Sequence, residues 1–243
     1  MAVLVTRPES QGLQLCQQLS EVGIKALHHP LISITPDPDL NTLLNQLNSF
    51  DIVIAVSQHA VNFAHQALQN NSEFWPTHPT YIAVGQKTAQ ILSKLCQQKV
   101  HYPEVGDSEH LLALEPLQSI ENKRIVILRG DGGRELIYDT LLKRLANVEY
   151  REVYQRNYLH FSSEILIAQW QQQGVDTLVI TSTGQLNFFT SQVNPNNKNW
   201  LFQLHLLVPS ERIALDAKKL GFNSVTNTGS ASNHDLVTAL QLK

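Results

Sequence analysis

Short apolar runs alternate with amphipathic stretches along most of the chain. Ala2–Thr6, Asp51–Val56, Thr80–Val84, Arg124–Leu128, Thr177–Thr181 and His205–Val208 are runs of four to six residues rich in β-branched side chains. They are too short for helices and carry little polar alternation, so they predict strands buried on both faces. Each is followed by apolar residues at helical spacing: Pro8–Val22, with Leu13, Leu15/Cys16 and Leu19 on one face and Gly23 as a stop, then Ala60–Leu68, Lys87–Cys96, Glu135–Leu145, Gln185–Phe189 and Ile213–Leu220. Strands of this kind alternating with amphipathic helices predict an α/β protein whose parallel sheets have helices on both sides.

The pattern is written twice. DIVIAVSQHAVNF at Asp51–Phe63 falls on DTLVITSTGQLNF at Asp176–Phe188, with Ser57 and Ser182 lying 125 residues apart. AVGQKTAQIL (Ala83–Leu92) falls on VPSERIALDA (Val208–Ala217), and DSEHLLALEP (Asp107–Pro116) on SNHDLVTALQ (Ser232–Gln241), at the same offset of 125. A constant offset over three successive strand–helix units marks an internal repeat. A further match breaks the order: VLVTRPESQG (Val3–Gly12) resembles IVILRGDGGR (Ile125–Arg134), with Arg7 on Arg129. This unit comes first in one copy and last in the other, as expected if one domain is inserted in the other.

The predicted organisation is therefore a discontinuous domain of residues 1–30 and 161–243, an inserted domain of residues 39–147, and a two-stranded linker of residues 31–38 and 148–160. Each domain is a flavodoxin-like or Rossmann-like parallel sheet of five strands in the order 2-1-3-4-5. The linker reading rests on HPLISITPDP (His29–Pro38), whose prolines exclude a helix, and on VEYREVYQRNYL (Val148–Leu159), which alternates β-formers with polar residues as an exposed strand does. Ligand is expected between the domains, where strand C-termini and helix N-termini face a cleft.

Composition narrows the function. The apolar share of 42% and charged share of 16% are those of an ordinary globular protein, and the length of 243 residues accommodates two domains. A net charge of −3 leaves no basic excess to neutralise phosphates, which argues against a generic nucleic-acid binder but leaves room for a local basic cleft. Cys16 and Cys96 lie in helical patterns and outside any CxxC or Cys/His cluster, and read as reduced residues of a cytoplasmic protein. No segment reaches the roughly 20 apolar residues of a membrane span, and MAVLVTRP reads as a strand rather than a leader. No apolar stripe is left over for a partner, so a monomer is expected.

The motifs of phosphate-loop, metalloprotease, nucleophile-elbow and EF-hand proteins are absent, and the ten histidines show no ligand spacing, so no metal site is expected. RGDGGR (Arg129–Arg134) lies between a strand and a helix, but Glu135 stands where the last glycine of a dinucleotide fingerprint belongs. It reads either as a flexible loop or as an anion cradle of backbone N–H groups flanked by Arg129 and Arg134. Ser57 and Ser182 read as helix N-caps able to share the cap with a carboxylate or phosphate. Gly85, Ser108 and Ser210 occupy similar turns, and Arg7 and Arg212 supply further cations. Tyr154 on the returning connector is a candidate proton donor or positioning group, with Tyr150 and Tyr158 as alternatives on the same stretch.

Taken in order, VLVTRP, the strand-Ser-helix unit, AVGQKTA, SEHLL, ILRGDGGRELIYDTL, VYQR and VPSERIALDAKKLGF resemble the uroporphyrinogen-III synthase family over essentially the whole chain. The resemblance implies two α/β domains joined by a two-stranded linker. It implies a small-molecule substrate, the linear tetrapyrrole hydroxymethylbilane with its eight carboxylates, and no metal or organic cofactor. The enzyme would cyclise it with loss of water and inversion of ring D, a hydro-lyase reaction of haem biosynthesis. The family's linker tyrosine corresponds to Tyr154, which would assist departure of the hydroxyl. The family's serine turns correspond to Ser57, to Ser182 with Thr183, and to Ser210, although Glu211 follows Ser210 where many relatives carry Gly or Ser/Thr pairs. Arg7, Gly85, Ser108, Arg129 and Arg134 complete the expected substrate-binding set. Two other readings stay open on the residues alone: a hinged, non-catalytic module for a small anionic metabolite, and a nucleotide-dependent enzyme using the Arg129–Arg134 loop.

Overall fold

The structure is a computed structural model that describes residues 1–40 and 47–242. The chain forms two compact units, unit 1 from Met1–Ser33 with Asn157–Lys243 and unit 2 from Ile34–Arg156, so unit 2 is inserted in unit 1. Strands are numbered along the chain. Unit 1 is built on β1 (Ala2–Val5), β2 (Lys25–His28), β9 (Val175–Val179), β10 (His205–Val208) and β11 (Ser224–Asn227). Unit 2 is built on β4 (Ile52–Ala55), β5 (Thr80–Ala83), β6 (Val100–His101), β7 (Arg124–Gly130) and β8 (Asn147–Tyr158), with β3 (Ile32–Pro36) at its edge.

The sheet of unit 1 has the order β11-β10-β9-β1-β2, all parallel. Counted within the unit this is 2-1-3-4-5. The sheet of unit 2 runs β3-β8-β7-β4-β5-β6, and its five strands from β4 to β8 are parallel. Its spatial order matches unit 1 when β7 and β8 take the places of β1 and β2. The registers agree as well: Ala2 pairs with Lys25 and Arg124 with Asn147, each 23 residues on. The topology is thus the same and the chain order permuted.

The strands are apolar because both faces are covered. Ala2 and Leu4 of β1 enter one cluster with Leu178 and Phe189, while Val3 and Val5 enter another with Leu15 and Leu236. In unit 2, Val53 and Ala55 face Phe63 and Leu92, and Ile52 and Ile54 face Leu117 and Leu141. Successive side chains of a strand point to opposite faces, so a two-faced core requires an unbroken apolar run.

The repeat holds at the level of helix caps. Ser57 opens helix Gln58–Asn70 and Ser182 opens Thr183–Gln192; Gly85 opens Gln86–Cys96 and Ser210 opens Glu211–Leu220; Asp107 opens Ser108–Leu112 and Ser232 opens Asn233–Gln241. Each pair of caps is 125 residues apart. Two helices, Ser163–Gln172 and Lys198–Gln203, are additions to the elements expected from the sequence, and the short strands β2, β6 and β11 fill places in the expected five-strand sheets that the apolar pattern did not locate.

The segment 148–160, expected as an exposed linker strand, is for most of its length the neighbour of β7. Val148, Val153 and Tyr154 are buried, which corrects the reading for the first part of the stretch, while residues 156–160 are exposed as expected. No helix among the described residues is long and apolar enough to cross a membrane.

Candidate functional site

In unit 2 a cleft of about 250 Å³ opens at the C-terminal ends of β4, β5 and β7, with Ser57, Arg129, Gly130, Tyr150, Tyr154 and Arg156 among its walls. Ligands of parallel α/β sheets bind at this edge, because loops and helix N-termini converge there.

A bulge aims Tyr154 into this cleft. The β7–β8 ladder pairs Arg129 with Glu152 but Gly130 with Tyr154, so Val153 is an extra residue on β8. Before the bulge, Val148 and Tyr150 pack on the face shared by Ile125 and Ile127. Strict alternation would place Tyr154 on that same face. The inserted residue shifts the phase, and Val153 and Tyr154 both pack on the opposite face with Val53, Ala60 and Phe63. Gly130 completes the fit: a Cβ there would lie 2.2 Å from the Tyr154 ring.

The Tyr154 side chain is 2% exposed. Its ring stacks on Phe63 with centroids 6.1 Å apart and tilts against His59 at 5.8 Å. Its hydroxyl lies 3.1 Å from the Ser57 Oγ and accepts from the Arg156 guanidinium at 2.9 Å. Ser57 Oγ in turn accepts from the Ala60 N–H at 3.0 Å, as an N-cap does. Arg156 is itself held by Asp131, whose Oδ1 accepts from the Arg156 backbone N–H at 3.0 Å and whose backbone carbonyl accepts from the guanidinium at 2.6 Å. The imidazole of His59 is held below its ordinary pKa, first by burial and then by the nearby Arg156.

The RGDGGR loop is less of an empty cradle than its glycines imply. Gly132 and Gly133 take positive φ, which only glycine adopts freely. Arg129, 4% exposed, donates to Glu135 Oε1 at 3.1 Å, lies 3.8 Å from Glu152 and covers the Tyr150 ring at 4.2 Å. Glu135 Oε2 accepts from the Tyr150 hydroxyl at 2.6 Å. The Glu135 carboxyl is held below its usual range by the hydrogen bonds from Tyr150 and Arg129, and the Tyr150 hydroxyl is pushed up by burial and then by Glu135. The residue that breaks the dinucleotide fingerprint is thus the counter-ion of the loop's buried arginine, which disfavours a nucleotide phosphate in this place. Arg134 also lines the cleft, with its side chain 72% exposed and 3.5 Å from Glu109.

The expected serine turns divide. Ser57 faces the cleft as a cap. Gly85 caps through its backbone alone, with extended dihedrals and no side-chain bond. Ser108 lines the cleft at its turn as the first helical residue, while the cap is Asp107, which accepts from the His110 N–H at 2.7 Å.

In unit 1, Ser182 and Ser210 accept from the N–H groups of Gln185 and Ile213, at 3.2 and 3.5 Å. Thr183 Oγ1 accepts from Arg212 at 2.8 Å. Arg7, 8% exposed, donates to the Ala231 carbonyl and Asn233 Oδ1, both at 2.6 Å, and to Gln11 Oε1 at 2.8 Å, while its buried Nε has no hydrogen-bond partner among the described residues. It forms no ion pair among the described residues, and burial lowers its pKa.

Arg156 lines the unit 2 cleft, Asp131 and Glu135 hold its arginines from behind, and all three are absent from the expected set. Arg156 was accessible to a period-two reading, since it shares a strand face with Tyr154 two residues earlier. Asp131 and Glu135 carry no local signal, because their roles arise from a loop folding back onto β8. No cluster of His, Cys, Asp or Glu able to hold a metal occurs among the described residues.

Fold and cleft define a two-unit α/β protein of flavodoxin-like topology, one unit carrying a cleft at its strand C-termini with Tyr154 in its wall. The family model described as uroporphyrinogen-III synthase HemD matches residues 14–237. The chain is 41% identical over 246 residues to a uroporphyrinogen-III synthase of Escherichia coli K12, covering 99% of this chain and 100% of that protein. It is 40% identical to the Salmonella typhimurium protein of the same name, over 99% of this chain and 100% of that one. Among solved structures it is similar to a mutant uroporphyrinogen III synthase of Thermus thermophilus, with TM-score 0.64, 17% identity and all of both chains covered. It is also similar to the Helicobacter pylori uroporphyrinogen-III synthetase, with TM-score 0.61, 19% identity and coverage of 100% and 99%. The chain belongs to the uroporphyrinogen-III synthase family.

Proposed function

We propose that the chain performs the reaction its family is named for: dehydrative cyclisation of hydroxymethylbilane with inversion of ring D, giving uroporphyrinogen III. One observation carries the reading at the level of chemistry: a buried phenol, Tyr154, is held beside Ser57 and Arg156 at the wall of a cleft. Loss of the hydroxyl as water leaves an electron-poor azafulvenium cation, which water or the wrong pyrrole carbon would capture. The substituted carbon of ring D must attack instead, through a spiro intermediate that fragments and recloses. Positioning of the chain is then the main catalytic contribution. Tyr154 donates the proton that turns the hydroxyl into departing water.

Ser57, Gly85, Ser108, Arg129 and Arg134 in unit 2, and Arg7, Ser182, Thr183 and Ser210 in unit 1, are assigned to the substrate's carboxylates. Helix N-terminal N–H groups and arginines are the natural partners of anions. The protein acts as a cytoplasmic monomer on this reading. The test generates hydroxymethylbilane in situ, adds the protein, oxidises, and resolves the uroporphyrin isomers. Isomer III above the protein-free control is the expected result, and isomer I alone overturns the assignment. Neither the binding-module nor the nucleotide reading is favoured by the family. Thermal-shift protection by ATP or NAD is expected to be nil.

A further inference from the structure

Arg156 has no place in the substrate-binding set, yet it touches the one group assigned to the chemistry. Its guanidinium has donors only. By donating to the Tyr154 oxygen at 2.9 Å it fills a lone-pair position of that oxygen and offers nothing that the phenol hydrogen could bond to. The other neighbour is Ser57 Oγ at 3.1 Å, which also accepts the Ala60 N–H. Two hydroxyl hydrogens therefore belong to the Tyr154–Ser57 pair, and one is used between them. The second cannot turn towards Arg156. The direction left to it is the cleft that Ser57, Tyr154 and Arg156 line.

We infer that Arg156 is a positioning residue for the reaction: it orients the proton of the Tyr154–Ser57 pair towards the leaving hydroxyl and stabilises the charge left on the phenol oxygen. This rests on the synthase reading above. The step balances without a co-reactant. The Tyr154 O–H proton passes to the hydroxyl, the C–O bond breaks with its electron pair going to oxygen, and water leaves. The phenolate recovers a proton from the pyrrole carbon that closes the ring.

The geometry supports a dedicated role rather than a general surface charge. Asp131 grips Arg156 through both its backbone N–H and its guanidinium. Asp131 is in turn set by its own backbone, whose N–H donates to the Tyr154 carbonyl at 3.0 Å. Tyr154, Asp131 and Arg156 thus close a ring of contacts in which the cation has one place to be. The guanidinium also lies over the Tyr154 ring at 5.1 Å.

A double-mutant cycle tests this, with kcat, KM and isomer identity measured for wild type, Tyr154→Phe, Arg156→Gln and the double variant. Arg156→Gln is expected to lower kcat about tenfold with KM changed less than about twofold, the signature of an interaction made in the transition state. In the Tyr154→Phe background the same change is expected to cost less than about twofold, since residues acting through one another are not additive. Arg156→Lys, which keeps a donor cation, recovers most of the loss. The Arg156 side chain is 39% exposed, so these variants are expected to fold, and Arg156→Met in both backgrounds runs the same cycle should Arg156→Gln melt early. An equal loss in both backgrounds, or a raised KM with kcat intact, overturns the assignment and makes Arg156 a substrate-carboxylate contact. A wild-type protein that gives isomer I alone overturns the synthase reading itself, which separates the two failures.

Discussion

Units 1 and 2 share a sheet order, three helix-cap positions and a strand-end arginine, yet what surrounds these positions differs. On β8 two tyrosines meet the same repeated features. Tyr154 packs on Phe63 beside Ser57 in unit 2, and Tyr158 packs on Phe188, ring centroids 4.5 Å apart, beside the helix capped by Ser182 in unit 1. Phe63 and Phe188 are 125 residues apart, as are the two serines. Only Tyr154 is buried, bulge-aimed and bonded to an arginine; Tyr158 is 46% exposed. The two arginines differ in the opposite sense. Arg129 has Glu135 and Glu152 as counter-ions, and among the described residues Arg7 has neutral acceptors only. A duplicated scaffold supplies equivalent positions; charge pairing and a single extra residue decide what each position does.

The sharpest way to break the comparison is to remove the two hydroxyls separately. Tyr154→Phe is expected to lower kcat about 100-fold, a loss of roughly 2.7 kcal/mol of transition-state stabilisation, with isomer III still the product. Tyr158→Phe is expected to cost less than about threefold. Equal losses, read in the isomer assay, would mean the two tyrosines are equivalent after all. The paired glycines come next. Gly130→Ala sets a Cβ 2.2 Å from a ring that the bulge and Phe63 hold in place, and is expected to cost about tenfold in kcat and roughly 1–3 kcal/mol in stability. Gly184→Ala meets only the tip of the exposed Tyr158, whose oxygen lies 2.7 Å from the new Cβ and can swing aside. Since alanine improves helix Thr183–Gln192, its melting temperature should hold or rise.

What the residues alone revealed and what they did not follows the same division. The strands were legible because a two-faced core demands an unbroken apolar run, as in IVIA of β4 and HLLV of β10. The permuted repeat was legible because caps and strands kept a constant offset. Tyr154 could be reached through its motif, but not its orientation. VEYREVYQRNY reads as plain alternation, and nothing in it announces that Val153 is an extra residue, because a bulge is a property of a pair of strands. The pairing of Arg129 with Glu135 was hidden for a related reason: six residues apart across a glycine turn, they meet only once Gly132 and Gly133 take positive φ.

The arginines sharpen the comparison in stability rather than rate. Arg7→Gln strands two acceptors that received 2.6 Å bonds from a buried cation, and is expected to destabilise by about 2 kcal/mol, within the range for hydrogen bonds to charged groups. Arg129→Gln leaves two half-exposed carboxylates that water can solvate, and is expected to cost about 1 kcal/mol. Denaturant midpoints at constant m-value measure both. The reverse ranking would mean that Arg7 is the better compensated of the two.

The smallest expected effect separates the paired serines. Ser57→Ala and Ser182→Ala each remove an N-cap bond, at 3.0 and 3.2 Å, and each is expected to lower stability by about 1 kcal/mol. As caps the two are interchangeable, so their melting temperatures should fall together. As neighbours of a phenol they are not, because only Ser57 shares its hydroxyl hydrogen with Tyr154. Ser57→Ala should therefore lower kcat by about threefold beyond Ser182→Ala, and that excess should vanish in the Tyr154→Phe background. An excess that survives there would mean that Ser57 acts on the rate through its carboxylate contact alone and not through the tyrosine. Ser57→Gly, which keeps most of the cap, isolates the effect on rate from the effect on folding.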